Sequence, residues 1–136
     1  MNAKRLLSQV GHTDKEAELL IDALARSKSQ LTAARAATLS DMPKGGQPRE
    51  LSDAIDSHHK LEAKVNKIIA RLCREKLEAI EAIFLIEDSI LRQVLEMRYM
   101  TLMEWDDIRE AMGYQEIKSV YNLHGRALKQ IEDKIH

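Results

Sequence analysis

Apolar residues recur three or four positions apart along most of this 136-residue chain, which is the spacing of one face of an α-helix. A short pattern over residues 2–10 ends at Gly11. A longer pattern over residues 14–38 opens with Thr13 and Glu16 in the arrangement of a helix-capping box. The longer pattern has coiled-coil spacing, and its positions are Ala17, Leu20, Leu24, Ser27, Leu31, Ala34 and Thr38. The chain should therefore begin with a short helix and a long one.

A loop and a second long helix are predicted next. Both prolines and two of the five glycines fall at about residues 40–50. Pro lacks an amide hydrogen and Gly costs backbone entropy, so we expect a flexible loop there. Residues 50–86 contain neither residue type, and a helix of that length spans roughly 50 Å.

The second long helix cannot bury its apolar stripe alone. We predict that it folds back on the first long helix as an antiparallel hairpin. Its apolar face is wider than that of the first helix, which leaves surface for a second chain. The pattern therefore predicts homodimerisation through this hairpin arm.

Three shorter helical patterns fill the last third of the chain. The first covers residues 90–97, with Asp88 placed to cap it. The second covers residues 104–112 and ends at Gly113, because glycine enters the left-handed conformation without steric cost. The third covers residues 116–135. A short helix, a tight turn with a glycine and a longer helix are typical of a helix-turn-helix, whose second helix can enter the DNA major groove.

The predicted fold class is all-α: a long antiparallel helical hairpin followed by a small three-helix domain. Scarce Gly and Pro and abundant Ala, Leu, Glu, Lys and Arg favour the same class. We place the hairpin arm at residues 1–87 and the helix-turn-helix domain at residues 88–136.

The single cysteine, Cys73, excludes an internal disulfide and indicates a reducing compartment. No apolar run approaches the ~20 residues that cross a bilayer, so we expect a cytoplasmic protein with no membrane partner.

The net charge of −1 argues against strong DNA binding by a monomer, since phosphate neutralisation supplies much of that affinity. The charges are segregated, however. Cations lie on the last helix and acids on the helix before it, at Lys118, Arg126, Lys129 and Lys134 against Asp106, Asp107 and Glu110.

Two C-terminal stretches resemble a known family. VLEMRYMTLMEWDDIREAMGY followed by SVYNLHGRAL is similar to the C-terminal half of small phage-type transcriptional regulators, including RinA-like activators and a domain family of unknown function. That half is similar to region 4 of bacterial sigma factors, which binds promoter DNA. SDMPKGG before a long charged helix also resembles the unknown-function family. The resemblance implies double-stranded promoter DNA and RNA polymerase as partners.

The resemblance also assigns roles to residues of the last helix. Gly113 becomes the turn glycine, and Val120 and Leu123 face inward. The implied DNA contacts are Lys118, Ser119, Tyr121 and Asn122, with Arg126 and Lys129 near phosphates. Asn pairs with adenine and Lys reaches guanine in the major groove. Trp105 is expected in the core, under the turn.

Four residues depart from the family pattern. Glu104 and Gln115 stand where Ser or Thr usually caps the two helices of the motif. Arg109 replaces a small residue where those helices approach closely. Glu116 suits the dipole at the start of the last helix but repels phosphate. These departures weaken the prediction of tight DNA binding and leave the fold prediction unchanged.

Other polar residues give no sign of catalysis. His124 is expected to pack with one nitrogen satisfied. His58 and His59 are adjacent on a helix, so they point about 100° apart and make a poor metal pair. Cys73 has no His or Cys one turn away. No nucleophile–base arrangement is recognisable, so we expect no enzyme activity, metal, cofactor or small-molecule substrate.

The sequence therefore predicts a sequence-specific DNA-binding transcriptional regulator of phage or mobile-element type. Its recognition helix would be residues 116–135, and it would dimerise through the hairpin arm. Two alternatives stay open: a protein-interaction or scaffold module whose helix-turn-helix no longer binds DNA, and a protein that recognises phage DNA for packaging.

Overall fold

The computed structural model describes residues 2–41 and 49–135. Within these ranges the regular structure consists of helices without a strand, so the predicted all-α class is confirmed. There are five α-helices and one π-helical turn: α1 (Ala3–Asp41), α2 (Arg49–Ile83), α3 (Ser89–Leu95), the π-helical turn (Glu96–Met100), α4 (Trp105–Met112) and α5 (Ile117–Ile135). The loop predicted at about 40–50 falls mostly on residues outside the described part.

The first helix differs from the prediction. Helix α1 continues through Gly11 and Thr13, so the predicted helix end and capping box at these residues are wrong. The side chain of Asn2 instead accepts a hydrogen bond from the Lys4 amide at 2.8 Å. A Cβ atom on Gly11 would lie 3.5 Å from Leu102 Cδ2. Gly11 therefore lies at a packing contact rather than at a helix end.

The chain divides into two compact units, one formed by Met1–Asp14 with Leu72–His136 and the other by Lys15–Arg71. The predicted boundary between residues 87 and 88 follows the joint between α2 and α3, and it stays a prediction.

Within residues 15–71, segments of α1 and α2 lie side by side. Ser27 Oγ and His58 Nδ1 are 2.9 Å apart, and Leu20 and Ile68 line one shallow groove. Within this unit, later positions of α1 thus lie beside earlier positions of α2, while the hairpin arm predicted over residues 1–87 stays a prediction. The buried apolar side chains of this unit are Ala17, Leu31, Leu51, Val65 and Ile68.

The other unit has its main core where four helices meet. The first turns of α1 contribute apolar side chains to the same cluster as the end of α2, α3, the π-helical turn and α5. The buried members are Ala3, Leu7, Val10, Ala79, Ala82, Ile83, Ile86, Leu91, Leu95, Tyr99, Ala127 and Ile131. The N-terminal turns are therefore part of the core around the C-terminal helices.

Polar side chains satisfy the backbone at the joint between α2 and α3. Asp88 accepts hydrogen bonds from the amides of Ile90 at 2.9 Å and Leu91 at 3.4 Å, which confirms the predicted cap. Arg92 Nη1 donates to the Ile86 carbonyl at 2.9 Å. Lys134 Nζ donates to the Leu85 carbonyl at 2.6 Å. Cations thus meet backbone carbonyls of the connection between α2 and α3, which belong to neither helix.

A buried polar pair joins the first turns of α1 to α2. The Thr13 hydroxyl lies 2.7 Å and 2.6 Å from the two carboxylate oxygens of Glu75. Thr13 and Glu75 are only 1% and 3% exposed. A buried carboxylate is costly unless donors satisfy it, so this hydroxyl stabilises the packing of α1 on α2.

Replacing Thr13 by Val should lower the free energy of unfolding by about 1–3 kcal/mol, because a buried carboxyl group loses a hydrogen-bond partner. Chemical denaturation would measure the loss. Thr32→Val is the matched control, since the Thr32 hydroxyl is exposed and donates to the Lys28 carbonyl of its own helix at 2.9 Å. Equal losses in the two variants would contradict this role of Thr13.

Candidate nucleic-acid interface

The turn between α4 and α5 has the geometry of a glycine C-cap. Gly113 adopts φ 78° and ψ 21°, in the left-handed region, and its amide donates to the carbonyls of Arg109 and Glu110. The Tyr114 amide donates to the Arg109 carbonyl at 3.1 Å. The predicted role of Gly113 is confirmed. These bonds satisfy the last carbonyls of α4 and direct the chain into α5.

Arg109 has a role in this turn that the sequence did not indicate. Its Nε donates to Asp106 Oδ1 at 2.7 Å, and its Nη1 donates to the Tyr114 carbonyl at 3.0 Å. The hydrogen bond from Arg109, and then its charge, hold the pKa of Asp106 below the ordinary value. The long side chain therefore bridges α4 and the turn.

A second apolar cluster holds α5 against α3 and α4. Val94, Ile108 and Val120 are completely buried in it. Leu123 is half-buried and packs against both this cluster and the main core. Val120 and Leu123 thus face inward as predicted. Partly buried side chains surround the three: Met97, Met103, Trp105, Met112 and Tyr114.

Trp105 connects this cluster to the surface. The Arg98 guanidinium lies 4.4 Å from the centre of its ring. Tyr121 and His124 meet Trp105 edge-on, with ring centres 5.3 Å and 4.7 Å away. Trp105 is half-buried, so the predicted core position is only partly right. The contact between the two rings helps to orient Tyr121 on α5.

The predicted contact residues form one outward face of α5, except for Ser119. Five are exposed: Lys118, Tyr121, Asn122, Arg126 and Lys129. At 100° per residue these five fall within an arc of about 140°. Four of them also line a shallow open concavity, namely Tyr121, Asn122, Arg126 and Lys129. Ser119 is half-buried at the flank of this face, and its contact with DNA stays a prediction.

Gly125 belongs to the same concavity, although sequence reasoning did not select it. A Cβ atom at this position would meet nothing within 4 Å. Glycine inside a helix is less favourable than alanine by roughly 0.5–1 kcal/mol. Neither packing nor a positive φ angle requires Gly125. The glycine lowers helix stability and leaves this point of the surface without a side chain.

The charge on the outward face is positive, although the whole chain carries −1. Lys118, Arg126 and Lys129 are exposed there, and Asp133 is the exposed acid at the C-terminal end of the same arc. The exposed carboxylates Asp106, Asp107 and Glu110 lie on α4 instead. Lys134 differs from the other cations because its Nζ binds the Leu85 carbonyl.

His124 lies behind this face and is neutral at pH 7. Burial, and then the charges of Lys4 and Arg98, lower the pKa of His124 from 6.5 to about 4. Its Nε2 lies 2.6 Å from the Tyr99 hydroxyl, so one ring nitrogen has a hydrogen-bond partner. Burial also raises the pKa of Tyr99, against opposing effects of Arg98 and of a hydrogen bond with Ser8. His124 is therefore the packing residue predicted.

Within the described ranges, no group of three or more His, Cys, Asp and Glu side chains could hold a metal ion. His58 and His59 each lie near the Glu62 carboxylate, at 3.8 Å and 3.7 Å. None of the described helices combines the length and apolar composition that crossing a membrane requires.

Comparison with known proteins adds no family assignment. The chain matches no protein-family model, and neither the curated proteins nor the solved structures gave a match. The interpretation of this interface therefore depends on the geometry of α4 and α5 and on the motif residues themselves.

Acidification should destabilise the fold through His124. The unfolded chain binds this proton near pH 6.5 and the folded chain only near pH 4, so stability is full above pH 6.5 and falls as the pH drops toward 4. His124→Gln should flatten this part of the pH profile of the free energy of unfolding. A wild-type slope in His124→Gln would be evidence against this origin.

The two glycines of this region should respond oppositely to alanine. Gly125→Ala should raise the free energy of unfolding by about 0.5–1 kcal/mol, because it stiffens the unfolded chain and meets no clash. Gly113→Ala should lower it by about 1–2 kcal/mol, because alanine is strained in the left-handed region. Thermal unfolding monitored by circular dichroism would compare them. A destabilised Gly125→Ala variant would show that the backbone there needs glycine.

Proposed function

We propose that the chain is a sequence-specific DNA-binding transcriptional regulator of phage or mobile-element type, with α5 as its recognition helix in the major groove. One observation carries the proposal: Lys118, Asn122 and Arg126 are exposed together on α5. The opposite side of this helix is completely buried at Val120 and Ile131. This arrangement leaves polar side chains available to a groove.

Rigid support of α5 favours recognition of bases. Contact residues on a well-packed helix keep their geometry better than those on a loop. Helix α5 packs against both α3 and α4, and the turn before it is stabilised by Gly113 and Arg109. The outward face of α5 is therefore already formed before DNA binds.

The side chains on this face suit both parts of a duplex. Lys118 and Asn122 are one turn apart, and these residue types bind guanine and adenine edges. Arg126 and Lys129 follow at the next turns, where a guanidinium and an ammonium bind phosphate. Tyr121 packs beside Trp105, and it lines the concavity on the outward face of α5.

Homodimerisation is part of the proposal because the local charge is modest. A second recognition helix tethered to the first raises the effective concentration without new contacts. RNA polymerase is a further proposed partner. That partner follows from the resemblance to sigma-like regulators alone.

A protein-interaction module is the second candidate. The exposed carboxylates Asp106, Asp107 and Glu110 on α4 and Glu116 before α5 favour it. These groups repel phosphates if they come close to a duplex. A helix-turn-helix that no longer binds DNA would use the same outward face for a protein.

Lys118→Ala combined with Arg126→Ala should weaken binding to duplex DNA about 10- to 100-fold, because the base contact of Lys118 supplies roughly 1–3 kcal/mol and Arg126 adds a phosphate contact. The slope of log affinity against log salt should become shallower by about one to two units. Fluorescence anisotropy with duplexes selected from a random pool would measure both quantities.

The matched control is Lys60→Ala combined with Arg26→Ala, which removes the same charges from exposed positions of the other unit. An unchanged salt slope in Lys118→Ala/Arg126→Ala would exclude α5 as the contact helix. Absence of any binding to random duplex at low salt would favour the protein-interaction module.

A further inference from the structure

A stripe of exposed apolar side chains follows the last turns of α2. Leu77, Ile80 and Phe84 are 61%, 37% and 63% exposed, and Cys73 is exposed beside them. Their spacings of four, three and four are those of a helix-pairing seam. The Arg92 guanidinium lies 5.7 Å from the Phe84 ring. We call these four residues the α2 stripe.

The α2 stripe is distinct from the face of α2 that forms the core. Ala79, Ala82 and Ile83 from the same turns are buried. The helix therefore has apolar side chains on two sides, and only one side packs within the protomer. Exposed apolar stripes of this kind mark protein–protein interfaces.

We propose that the α2 stripe pairs with the α2 stripe of a second copy of the chain, antiparallel, about a two-fold axis that passes between Leu77 and Ile80. The pairing defines an interface and a register for the proposed homodimer. It rests on the proposed function only where the dimer is given a role in DNA binding.

Charge complementarity points to a second copy as the occupant. Arg74 and Glu81 are both exposed, and residues seven apart lie on the same flank of the stripe, within about 20°. An antiparallel two-fold places Arg74 of each copy beside Glu81 of the other, so two opposite-charge pairs form. A parallel pairing would leave Arg74 without an acidic neighbour across the seam and would place Glu81 beside Lys76, which is half-buried. The stripe is thus complementary to itself, and the antiparallel orientation pairs both exposed charges.

Side-chain size agrees with the same register. The two-fold places Leu77 against Ile80 in both inner layers. It places the small Cys73 against the large Phe84 in both outer layers. Facing a small residue with a large one keeps the volume of successive layers even, which good packing requires. Register, charge and volume therefore favour the same pairing.

The mass of the intact chain in solution tests the interface. Sedimentation equilibrium at tens of micromolar should give twice the protomer mass of 15.5 kDa. Leu77→Asp should shift the mass to that of one protomer. Leu19→Asp is the matched control, since Leu19 is 71% exposed on α1, and it should leave the dimer intact. A wild-type monomer, or a dimer unaffected by Leu77→Asp, would overturn the proposal.

Charge reversal tests the orientation. Arg74→Glu and Glu81→Arg should each weaken the dimer about tenfold, because each creates two like-charge contacts. The double variant should restore wild-type dimerisation, since the pairs reform with their signs exchanged. Failure of the double variant to recover would exclude the antiparallel register.

Oxidation of Cys73 gives an independent measurement. In the proposed register the two Cys73 residues are separated by eleven residues of rise, about 16 Å along the axis. A disulfide needs Cα atoms within about 7 Å, so mild oxidation should leave the chains uncrosslinked. Efficient Cys73–Cys73 crosslinking would overturn the register.

The interface and the DNA-binding proposal can fail separately. A dimer that Leu77→Asp dissociates supports the interface even if no duplex is bound. A monomeric chain that still binds duplex overturns the interface and leaves the DNA-binding proposal in place.

Discussion

Burial of one side of α5 is the constraint on which the candidate interface depends. Val120, Ala127 and Ile131 have no solvent exposure, and burying a side chain of that kind is worth roughly 1.5–3 kcal/mol for the larger two. Turning α5 about its axis would expose these groups and bury Lys118 or Arg126 without partners, which costs far more. The apolar side of the helix therefore determines which polar side chains meet solvent, and the chemistry available on the surface follows from that choice.

The short connections add a second constraint, because every buried backbone group at a helix end needs a partner. Asp88 satisfies amides at the start of α3, while Arg92 and Lys134 satisfy carbonyls of the connection that follows α2. Arg109 does the same at the turn before α5. Some charged residues that a sequence pattern suggests for ligand binding thus bind the protein's own backbone instead. Lys134 is one of them.

The sequence was sufficient for features that depend on local chemistry. Periodicity indicated the long helices, an Asp before an apolar run indicated the cap at Asp88, and an isolated glycine indicated the left-handed turn at Gly113. Features that depend on distant residues were not predictable in this way. Gly11 looked like a helix end because nothing nearby in sequence announces its contact with Leu102. Thr13 likewise resembled a cap, whereas its partner is Glu75, far along the chain. The six proposed contact residues on α5 came from a resemblance, and the structure adds only which of them are exposed.

The position of the first turns of α1 has a consequence for synthesis of the chain. Ala3 and Leu7 share a core cluster with Ala127 and Ile131, which are synthesised much later than the N-terminal turns. The core cannot form until α5 has been synthesised. Until then the apolar side chains of the N-terminal turns stay unburied. Contacts of such long sequence separation slow folding. The N-terminal turns therefore reach their buried positions only after α5 has been synthesised.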